Sequence, residues 1–294
     1  MKMLLTGGSG FLGKEITKYF KNGDIISMGR SNSDIICDLS TQIPNVLPVD
    51  LVVHAAGKAH SVPNTDAEKQ EFYDVNVKGT ENLLKGIEQA YSLPKAFIFI
   101  SSVSVYGAES GIGIDENQAL AAIDAYGHSK IQAEKIVEDW CLENNVICGI
   151  LRLPLLVGPN PPGNLGAMIK GIRNGYYFNV GGGKARKSMV MADDVAAIIT
   201  KVAQVGGIYN LTDGTHPSFN ELSAHISNQL NKKPILNMPV GFAKTLAKIG
   251  DLVPQFPLNS KKLEKITSDL TFNDDKARSI LAWSPRSVLD SFKL

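Results

Sequence analysis

The chain opens with a short apolar run that leads directly into three evenly spaced glycines, and this feature constrains its fold most strongly. Residues 2–6 read as a strand, glycines follow at three-residue spacing, and a helical pattern covers 11–21. Glycine permits the tight turn and lets backbone N–H groups approach a pyrophosphate at the helix N-terminus. The alternative is an ordinary glycine-rich turn, but strand, turn and helix in this order are typical of a dinucleotide fingerprint. The residues predicted to bind the cofactor here are Gly7, Gly10, Phe11, Leu12 and Gly13.

A tyrosine and a lysine four residues apart, Tyr126 and Lys130, lie on one face of the helix predicted over 126–144. Because an ammonium favours a nearby phenolate, we expect the pKa of Tyr126 to fall from about 10 toward neutrality. Tyr126 would then exchange a proton with an alcohol oxygen. The spacing also occurs by chance on exposed helices, so its support comes from the glycine loop and from Ser102, which follows a strand-like run.

Composition indicates a soluble enzyme and excludes several other classes of protein. The 294 residues carry a formal net charge of +1, which gives no indication of a nucleic-acid partner. No apolar stretch approaches the ~20 residues of a membrane span, and the first apolar run is too short for a signal peptide. The three cysteines and five histidines lack metal-ligand spacing, so we expect no metal site. Scattered thiols of this kind predict a cytoplasmic location.

Predicted strands and helices alternate through the first half of the chain, which favours an α/β fold with a parallel, doubly wound sheet. The expected domains are 1–158, which binds the cofactor, and 159–294, which is mainly a smaller substrate-binding lobe. The predicted strands are 2–6, 24–28, 50–54, 96–101 and 146–153. The predicted helices are 11–21, 68–90, 126–144, 165–174, 218–231 and 241–250.

Taken together, these segments resemble the extended short-chain dehydrogenase/reductases of the nucleotide-sugar epimerase/dehydratase group. The residues that carry the resemblance lie at 6–13, 38–39, 54–57, 74–80, 101–107, 126–130, 151–159, 186, 193–196 and 281–285. They follow the family's order along nearly the whole chain. The resemblance implies a Rossmann-type fold, a nicotinamide cofactor, a nucleotide-diphosphate sugar as substrate, and a return of residues 190–212 to the main sheet.

The choice between NADP and NAD is argued from charge at the end of the second strand. NAD-binding proteins usually place an acid there for the ribose hydroxyls, whereas this turn offers no carboxylate and carries Arg30. A guanidinium suits the 2′-phosphate, so NADP is favoured, with NAD as the alternative. The alternative interpretation is that Arg30 is only a solvated loop residue. By resemblance, the remaining cofactor contacts are Asp38, Leu39, Ala55, Ala56, Gly57, Asn76, Tyr126 and Lys130.

The resemblance also implies the catalytic and substrate residues. Ser102 and Tyr126 would contact the sugar oxygen, Tyr126 would carry the proton, and Lys130 would hold the nicotinamide ribose. In the second lobe, Asn164 and Arg186 match residues that contact the diphosphate, although either is otherwise an ordinary surface side chain.

Departures from the family pattern narrow the chemistry. Val103 and Ser104 stand where dehydratases of this group carry an Asp-Glu pair, so 4,6-dehydration lacks a proton donor. Leu155 stands where familiar 4-epimerases carry an asparagine. The Leu-Arg-x-Pro-Leu segment that ends at Leu155, together with Ala59-His60 and other short segments, resembles the corresponding parts of bacterial reductases of UDP-4-keto-6-deoxy-N-acetylhexosamines. These reductases serve surface-polysaccharide synthesis.

Three functions therefore remain open. The leading hypothesis is NADP-dependent reduction of a 4-keto nucleotide sugar. The alternative is an NAD-dependent UDP-hexose or UDP-N-acetylhexosamine 4-epimerase, which would use the same catalytic residues. A remote alternative is a non-catalytic nucleotide-binding protein, although such relatives typically lose the Tyr or Lys, and both are present here.

Assembly is predicted from the same resemblance. Family members commonly form homodimers through a four-helix bundle, here made by the predicted helices 68–90 and 126–144. The second helix has more apolar surface than one sheet-facing stripe needs, which places Trp140 near the two-fold axis. The alternative is a monomer whose helix has a wide core face.

Overall fold

The structure is a computed structural model that describes residues 1–20, 24–59, 61–253 and 258–294. Its strands are β1 (Met3–Thr6), β2 (Ile25–Gly29), β3 (Ile35–Ile36), β4 (Leu51–His54), β5 (Ala96–Ser102), β6 (Gly111–Ile114), β7 (Ile147–Leu153), β8 (Leu155–Val157), β9 (Asn179–Val180), β10 (Met189–Met191), β11 (Gly207–Asn210), β12 (Asn237–Met238) and β13 (Leu270–Phe272). Its helices are α1 (Phe11–Tyr19), α2 (Asp66–Tyr73), α3 (Gly79–Glu88), α4 (Ala125–Glu143), α5 (Gly163–Arg173), α6 (Ala192–Val205), α7 (Phe219–Gln229), α8 (Val240–Leu252), α9 (Ser260–Thr267), α10 (Asp275–Leu281) and α11 (Val288–Ser291).

A seven-stranded sheet in the order β11-β7-β5-β4-β1-β2-β3 forms the centre of the molecule, and every pairing in it is parallel. This confirms the predicted α/β fold of the Rossmann type. The order of the strands reverses between β1 and β4. In open parallel sheets, ligands bind at the carboxyl ends of the strands beside such a reversal.

Helices cover both faces of this sheet, and each face has its own apolar core. Leu5 and Val53 belong to the core that includes α1 and α6, whereas Leu4 and Val52 belong to the core that includes α3 and α4. Successive residues of a strand point to opposite faces, so a strand buried on both sides must be apolar throughout. The uninterrupted apolar runs in the sequence have this physical origin.

The predicted helix over 68–90 is interrupted. A π-helical turn, Asp74–Lys78, separates α2 from α3. The single-helix prediction was therefore wrong, because a one-residue change in hydrogen-bond spacing leaves the apolar pattern nearly unchanged. π-Helical turns inside helices are frequent at functional sites. Here the turn contains Asn76, which is buried.

Further small parallel pairs join β10 with β8, β12 with β9, and β13 with β6. The helices predicted over 165–174, 218–231 and 241–250 correspond to α5, α7 and α8. α6 packs against α1, and β11 lies beside β7 in the main sheet. Among the described residues, no helix is long and apolar enough to cross a membrane.

Trp140 lies in the core of the chain itself, where only 6% of its surface is exposed. Its ring packs on Phe97 with 6.1 Å between centroids, and its Nε1 donates a hydrogen bond to Glu88 Oε1 at 2.8 Å. The expectation that Trp140 faces a two-fold axis is therefore wrong, since the wide apolar face of α4 packs on the sheet and on α3. The homodimer stays a prediction without this support.

Candidate active site

The glycine loop turns sharply between β1 and α1. Gly7 has a φ of +71°, and a Cβ atom on Gly13 would lie 2.1 Å from the Gly7 carbonyl oxygen, so neither position tolerates a side chain. Gly10 is the N-cap of α1, no side chain caps the helix, and its first turn carries no acidic residue. The first-turn N–H groups, including those of Phe11 and Leu12, are therefore available to an anion, and this cradle fits a pyrophosphate.

The loop after β2 contains both an arginine and a carboxylate. Asp34 folds back onto the strand, where its Oδ2 accepts hydrogen bonds from the backbone N (2.8 Å) and Oγ (2.7 Å) of Ser27. The hydrogen bonds from Ser27 lower the pKa of Asp34, so it stays ionised. Ser27 in turn lies beside Gly8 of the glycine loop. The expectation that this turn lacks a carboxylate was wrong, because Asp34 is distant in the loop but returns to β2. The signal in the sequence that could have revealed this carboxylate is Asp34 itself, which directly precedes the apolar pair Ile35 and Ile36.

Asp38 and Leu39, two of the predicted cofactor contacts, follow β3. Asp38 Oδ1 accepts hydrogen bonds from the backbone N (3.0 Å) and Oγ (2.6 Å) of Ser40, which lower the pKa of Asp38 with help from the charge of Arg30. The Leu39 carbonyl accepts from Asn82 Nδ2 at 2.7 Å, which fixes the segment to α3. This arrangement leaves Asp38 as a turn residue with a second carboxylate oxygen for a ligand.

The segment after β4 lies against the glycine loop. Ala56 N donates to Thr6 Oγ1 at 3.1 Å, and a Cβ atom on Gly7 would meet Ala55 and Ala56 at 2.6–2.8 Å. A Cβ atom on Gly57 would lie 3.1 Å from Asn76 Oδ1 and 3.4 Å from Lys130 Nζ. The structure thus brings the predicted cofactor residues of β1, β4, the π-helical turn and α4 to one edge of the sheet.

A buried histidine links these elements. His54 Nδ1 lies 2.6 Å from Thr6 Oγ1, and its Nε2 lies 3.0 Å from Thr80 Oγ1. Thr80 donates to the Asn76 carbonyl at 2.7 Å, so its oxygen accepts the proton of Nε2. Burial, together with the charge of Lys130, lowers the pKa of His54 to about 3, so the ring is neutral. The neutral ring holds β1, β4 and the π-helical turn in register.

Asn76 ties the cofactor side of the site to α4. Its Nδ2 donates to the Lys58 carbonyl at 3.1 Å and to Ser129 Oγ at 2.9 Å, while its Oδ1 accepts from Lys58 N at 2.7 Å. All polar atoms of the amide are therefore engaged within the protein. The predicted cofactor residue acts here by positioning the residue next to Lys130.

The predicted catalytic residues lie at the end of β5 and in the first turns of α4. Asp124 caps α4 by accepting from Gly127 N at 3.0 Å. Ser102 Oγ donates to Ser104 Oγ at 3.1 Å and caps the following 3₁₀ turn, Val103–Tyr106. The Ser102 hydroxyl also lies near enough to the phenol of Tyr126 to lower its pKa. Ser102 and Tyr126 thus share one site.

The pKa of Tyr126 is raised, not lowered as expected. Burial of the phenol raises it, the nearby Ser102 hydroxyl lowers it in part, and the charge of Asp124 adds to the increase. Lys130 does not compensate because its Nζ donates to the Ile100 carbonyl at 2.8 Å and lies 4.5 Å from the ring centroid of Phe99. In this state the phenol keeps its proton and can act as an acid.

Beneath the site lies a buried ion pair that the sequence did not reveal. Arg152 Nη2 donates to Glu134 Oε2 at 2.8 Å, and Ser101 donates to Oε1 of the same carboxylate. Arg152 Nη1 reaches Tyr106 Oη at 3.2 Å, and that hydroxyl donates to Asn210 Oδ1 at 2.8 Å. The network joins α4, β5, β7 and β11, so it fixes the helix that carries Tyr126 and Lys130.

The two predicted substrate residues lie in the C-terminal part of the chain. Asn164 is exposed in the first turn of α5. Arg186 donates to the His216 carbonyl at 3.0 Å and lies 3.5 Å from Glu221 Oε2. Across the described ranges, no hydrogen bond or ion pair joins either residue to Ser102, Tyr126 or Lys130. His60, part of the reductase-like Ala59-His60 segment, lies outside the described residues, as does residue 21 of the first predicted helix.

Comparison with known proteins agrees with this geometry. A family model described as "NAD dependent epimerase/dehydratase family" matches residues 3–212. The N-acetyl-alpha-D-glucosaminyl-diphospho-ditrans,octacis-undecaprenol 4-epimerase of Escherichia coli O157:H7 is 28% identical over 94% of this chain and 88% of its own. The UDP-glucose 4-epimerase of Vibrio cholerae is 26% identical over 99% of this chain and 93% of its own.

A solved structure shares the fold. The structure of RMD from Pseudomonas aeruginosa complexed with NADPH superposes with a TM-score of 0.72, covering 98% of this chain and 96% of that one at 18% identity. At this level of identity, the likeness concerns the fold alone.

Proposed function

The chain belongs to the NAD-dependent epimerase/dehydratase family, whose enzymes depend on NAD(P), and we propose that it performs redox chemistry at C4 of a nucleotide-diphosphate sugar. One observation carries this proposal. Ser102, Tyr126 and Lys130 lie at the sheet edge that also holds the glycine loop and Gly57. A proton carrier beside a dinucleotide cradle is what transfer of hydrogen to or from a sugar carbon requires.

Each side chain has a distinct task in this proposal. Tyr126 delivers its proton to the C4 oxygen, and Ser102 hydrogen-bonds the same oxygen and holds it in line. Lys130 leaves the Ile100 carbonyl to bind ribose hydroxyls and to place its charge near the phenol. A bound nicotinamide cofactor supplies the hydride.

We favour reduction of a 4-keto sugar as the reaction, in the synthesis of surface-polysaccharide precursors. The protonated state of Tyr126 supports this direction, because a phenol that keeps its proton can neutralise the oxyanion formed at C4. Val103 and Ser104 offer no acid for 4,6-dehydration. The retained Tyr126 and Lys130 argue against a non-catalytic nucleotide-binding protein.

A 4-epimerase is the second candidate, and the names of two relatives favour it. It would use the same residues, but Tyr126 would first remove a proton and later return one. The first of these names also raises a second substrate class, a sugar diphosphate attached to a polyprenol rather than to a nucleoside. The glycine loop and catalytic residues serve either class.

Product analysis separates the candidates. The purified protein is incubated with a panel of UDP- and dTDP-sugars and their 4-keto-6-deoxy derivatives, with and without NADPH, and products are identified by mass spectrometry. A reductase consumes added NADPH in proportion to product and converts only keto sugars. Conversion between stereoisomers without consumption of added cofactor establishes the epimerase, and no conversion of any sugar contradicts both.

Cofactor choice and assembly are narrower proposals. Arg30 supports NADP, with Asp34 as the opposing charge in the same loop. Asn164 and Arg186 remain proposed diphosphate contacts, since an arginine binds phosphate well and both lie in the C-terminal part of the chain. The homodimer is tested by light scattering, which should give twice the 31.7 kDa chain mass.

A further inference from the structure

An exposed apolar and basic surface lies in the C-terminal part of the chain, and we name residues 236–253 the α8 surface. Among the described residues, 24 large apolar side chains are exposed, and six of them fall within these 18 residues. The six are Leu236, Val240, Phe242, Ile249, Leu252 and Val253. Single exposed apolar residues are ordinary, but a concentration of this kind marks an interaction site.

Packing within the described part of the chain does not cover these side chains. α8 buries only the small residues Ala243 and Ala247, which pack with Leu263 of α9. Its larger residues point elsewhere, with Phe242 59% exposed, Ile249 45% exposed and Leu252 84% exposed. Phe242 and Ile249 are seven residues apart and therefore lie on the same side of the helix. The larger apolar face of α8 is the one turned to solvent.

Charge on and beside this face has one predominant sign. Lys244 and Lys248 lie on α8, and Lys232 and Lys233 precede it. The one acid between residues 231 and 253 is Asp251, whose carboxylate accepts hydrogen bonds from Ser260 N at 2.9 Å and from its hydroxyl at 2.5 Å. The surface therefore combines apolar side chains with excess positive charge, although the whole chain carries only +1.

We propose that the α8 surface docks on an anionic membrane surface, with α8 lying in the plane of the interface. Amphipathic helices that combine large apolar side chains with lysines bind in this way, through apolar burial and attraction to anionic lipids. The 13-residue α8 is too short to span a bilayer. A second copy is a poorer occupant, since a two-fold contact on this surface would bring its lysines together. The inference rests on this surface alone, independently of the proposed reaction.

Vesicle sedimentation tests the proposal with the full chain. The wild type should pellet with phosphatidylcholine vesicles that contain phosphatidylglycerol, remain largely in solution with phosphatidylcholine alone, and be released by high salt. Lys244→Gln with Lys248→Gln should weaken partitioning roughly 30-fold. Phe242→Ser with Ile249→Ser should weaken it at least about tenfold, because two apolar side chains leave the interface.

Matched control variants distinguish binding through the α8 surface from nonspecific binding by any exposed apolar or basic residue. Lys85→Gln with Lys201→Gln removes the same charge from exposed positions on α3 and α6, and Tyr91→Ser with Ile123→Ser removes two apolar side chains that are more exposed. Both should bind like the wild type, and all variants should show wild-type circular dichroism. Failure of the wild type to pellet with anionic vesicles overturns the proposal. Equal weakening of vesicle binding by the matched variants also overturns it. The same holds if Phe242→Ser with Ile249→Ser lowers the mass from dimer to monomer on light scattering but leaves vesicle binding unchanged. Turnover of a soluble sugar nucleotide is measured separately, so loss of either claim leaves the other intact.

Discussion

The Nζ atom of Lys130 donates a hydrogen bond to the Ile100 carbonyl oxygen across 2.8 Å. This contact holds the ammonium group at the end of β5, over the ring of Phe99 and beside Gly57. Burial lowers the pKa of Lys130 to about 8, although the charge of Glu134 opposes the shift. The lysine on which the proposed chemistry depends therefore loses its charge close to working pH.

The first prediction is a fall in kcat/KM as pH rises through about 8. The lowered pKa means that Lys130 is charged below this pH and neutral above it, whereas Tyr126, with its raised pKa, keeps its proton throughout. Ribose binding and stabilisation of the phenolate both need the charged form. In Lys130→Arg this fall in kcat/KM at alkaline pH (the alkaline limb) should disappear because a guanidinium stays charged. Lys130→Met should have low activity at every pH. An unchanged limb in Lys130→Arg would assign the titration to another group.

The second prediction concerns the hydrogen-bond chain through His54. Thr80→Val removes the hydroxyl that accepts from His54 Nε2 and donates to the Asn76 carbonyl, leaving the buried Nε2 proton without its partner. Unfolding in urea should show a loss of about 1–3 kcal/mol. Thr17→Val removes a hydroxyl that also donates to a carbonyl, but from an exposed helix position, and should cost much less. Equal costs for the two variants would show that the chain through His54 adds nothing.

Local patterns were sufficient to predict five strands of the main sheet and the glycine loop, but not β3 and β11. Apolar runs such as Leu51 to Val53 are strands because a sheet covered on both faces leaves no room for polar side chains. The spacing of Gly7, Gly10 and Gly13 reflects contacts within a few residues, so it can be read from the chain directly.

Relationships between distant segments could not be predicted in this way. Asp34 returns to β2 through a loop whose path the sequence does not specify. Lys130 turns toward Ile100 rather than toward the phenol, and burial of Tyr126 then decides its pKa. Trp140 was expected at a subunit interface because the sequence does not show how wide the core beneath α4 is. That width depends on how α3 and β5 pack against Trp140.

The third prediction concerns the buried ion pair beneath the site. Glu134→Gln leaves the Arg152 guanidinium buried without its carboxylate, which should cost about 3–5 kcal/mol of unfolding free energy. Glu134→Leu combined with Arg152→Met removes both charges and should be less destabilising than the single change. On the same helix, Asp139→Asn breaks an exposed pair with Lys135 and should leave stability almost unchanged. Similar small effects of Glu134→Gln and Asp139→Asn would contradict the role given to the network.

The fourth prediction concerns the cofactor. Arg30→Ala should weaken NADPH binding by roughly tenfold and leave NADH binding nearly unchanged, because only NADPH carries the phosphate. Asp34→Ala should instead strengthen NADPH binding relative to NADH binding, since the Asp34 carboxylate bonds Ser27, which lies beside Gly8, and its negative charge disfavours a phosphate in this loop. Fluorescence titration of both cofactors gives the ratio of dissociation constants. Equal weakening of the two cofactors in Arg30→Ala, or tighter binding of NADH by the wild type, would overturn the preference for NADP.

The central claim is that Tyr126 carries the proton in redox chemistry at C4 of a sugar. The direct measurement is single-turnover conversion by Tyr126→Phe of whichever sugar the wild type converts, with cofactor affinity measured on the same sample. We expect normal cofactor binding and a turnover reduced by roughly 10²–10⁴-fold, the usual share of general acid–base catalysis. Near-normal turnover in this variant would contradict it.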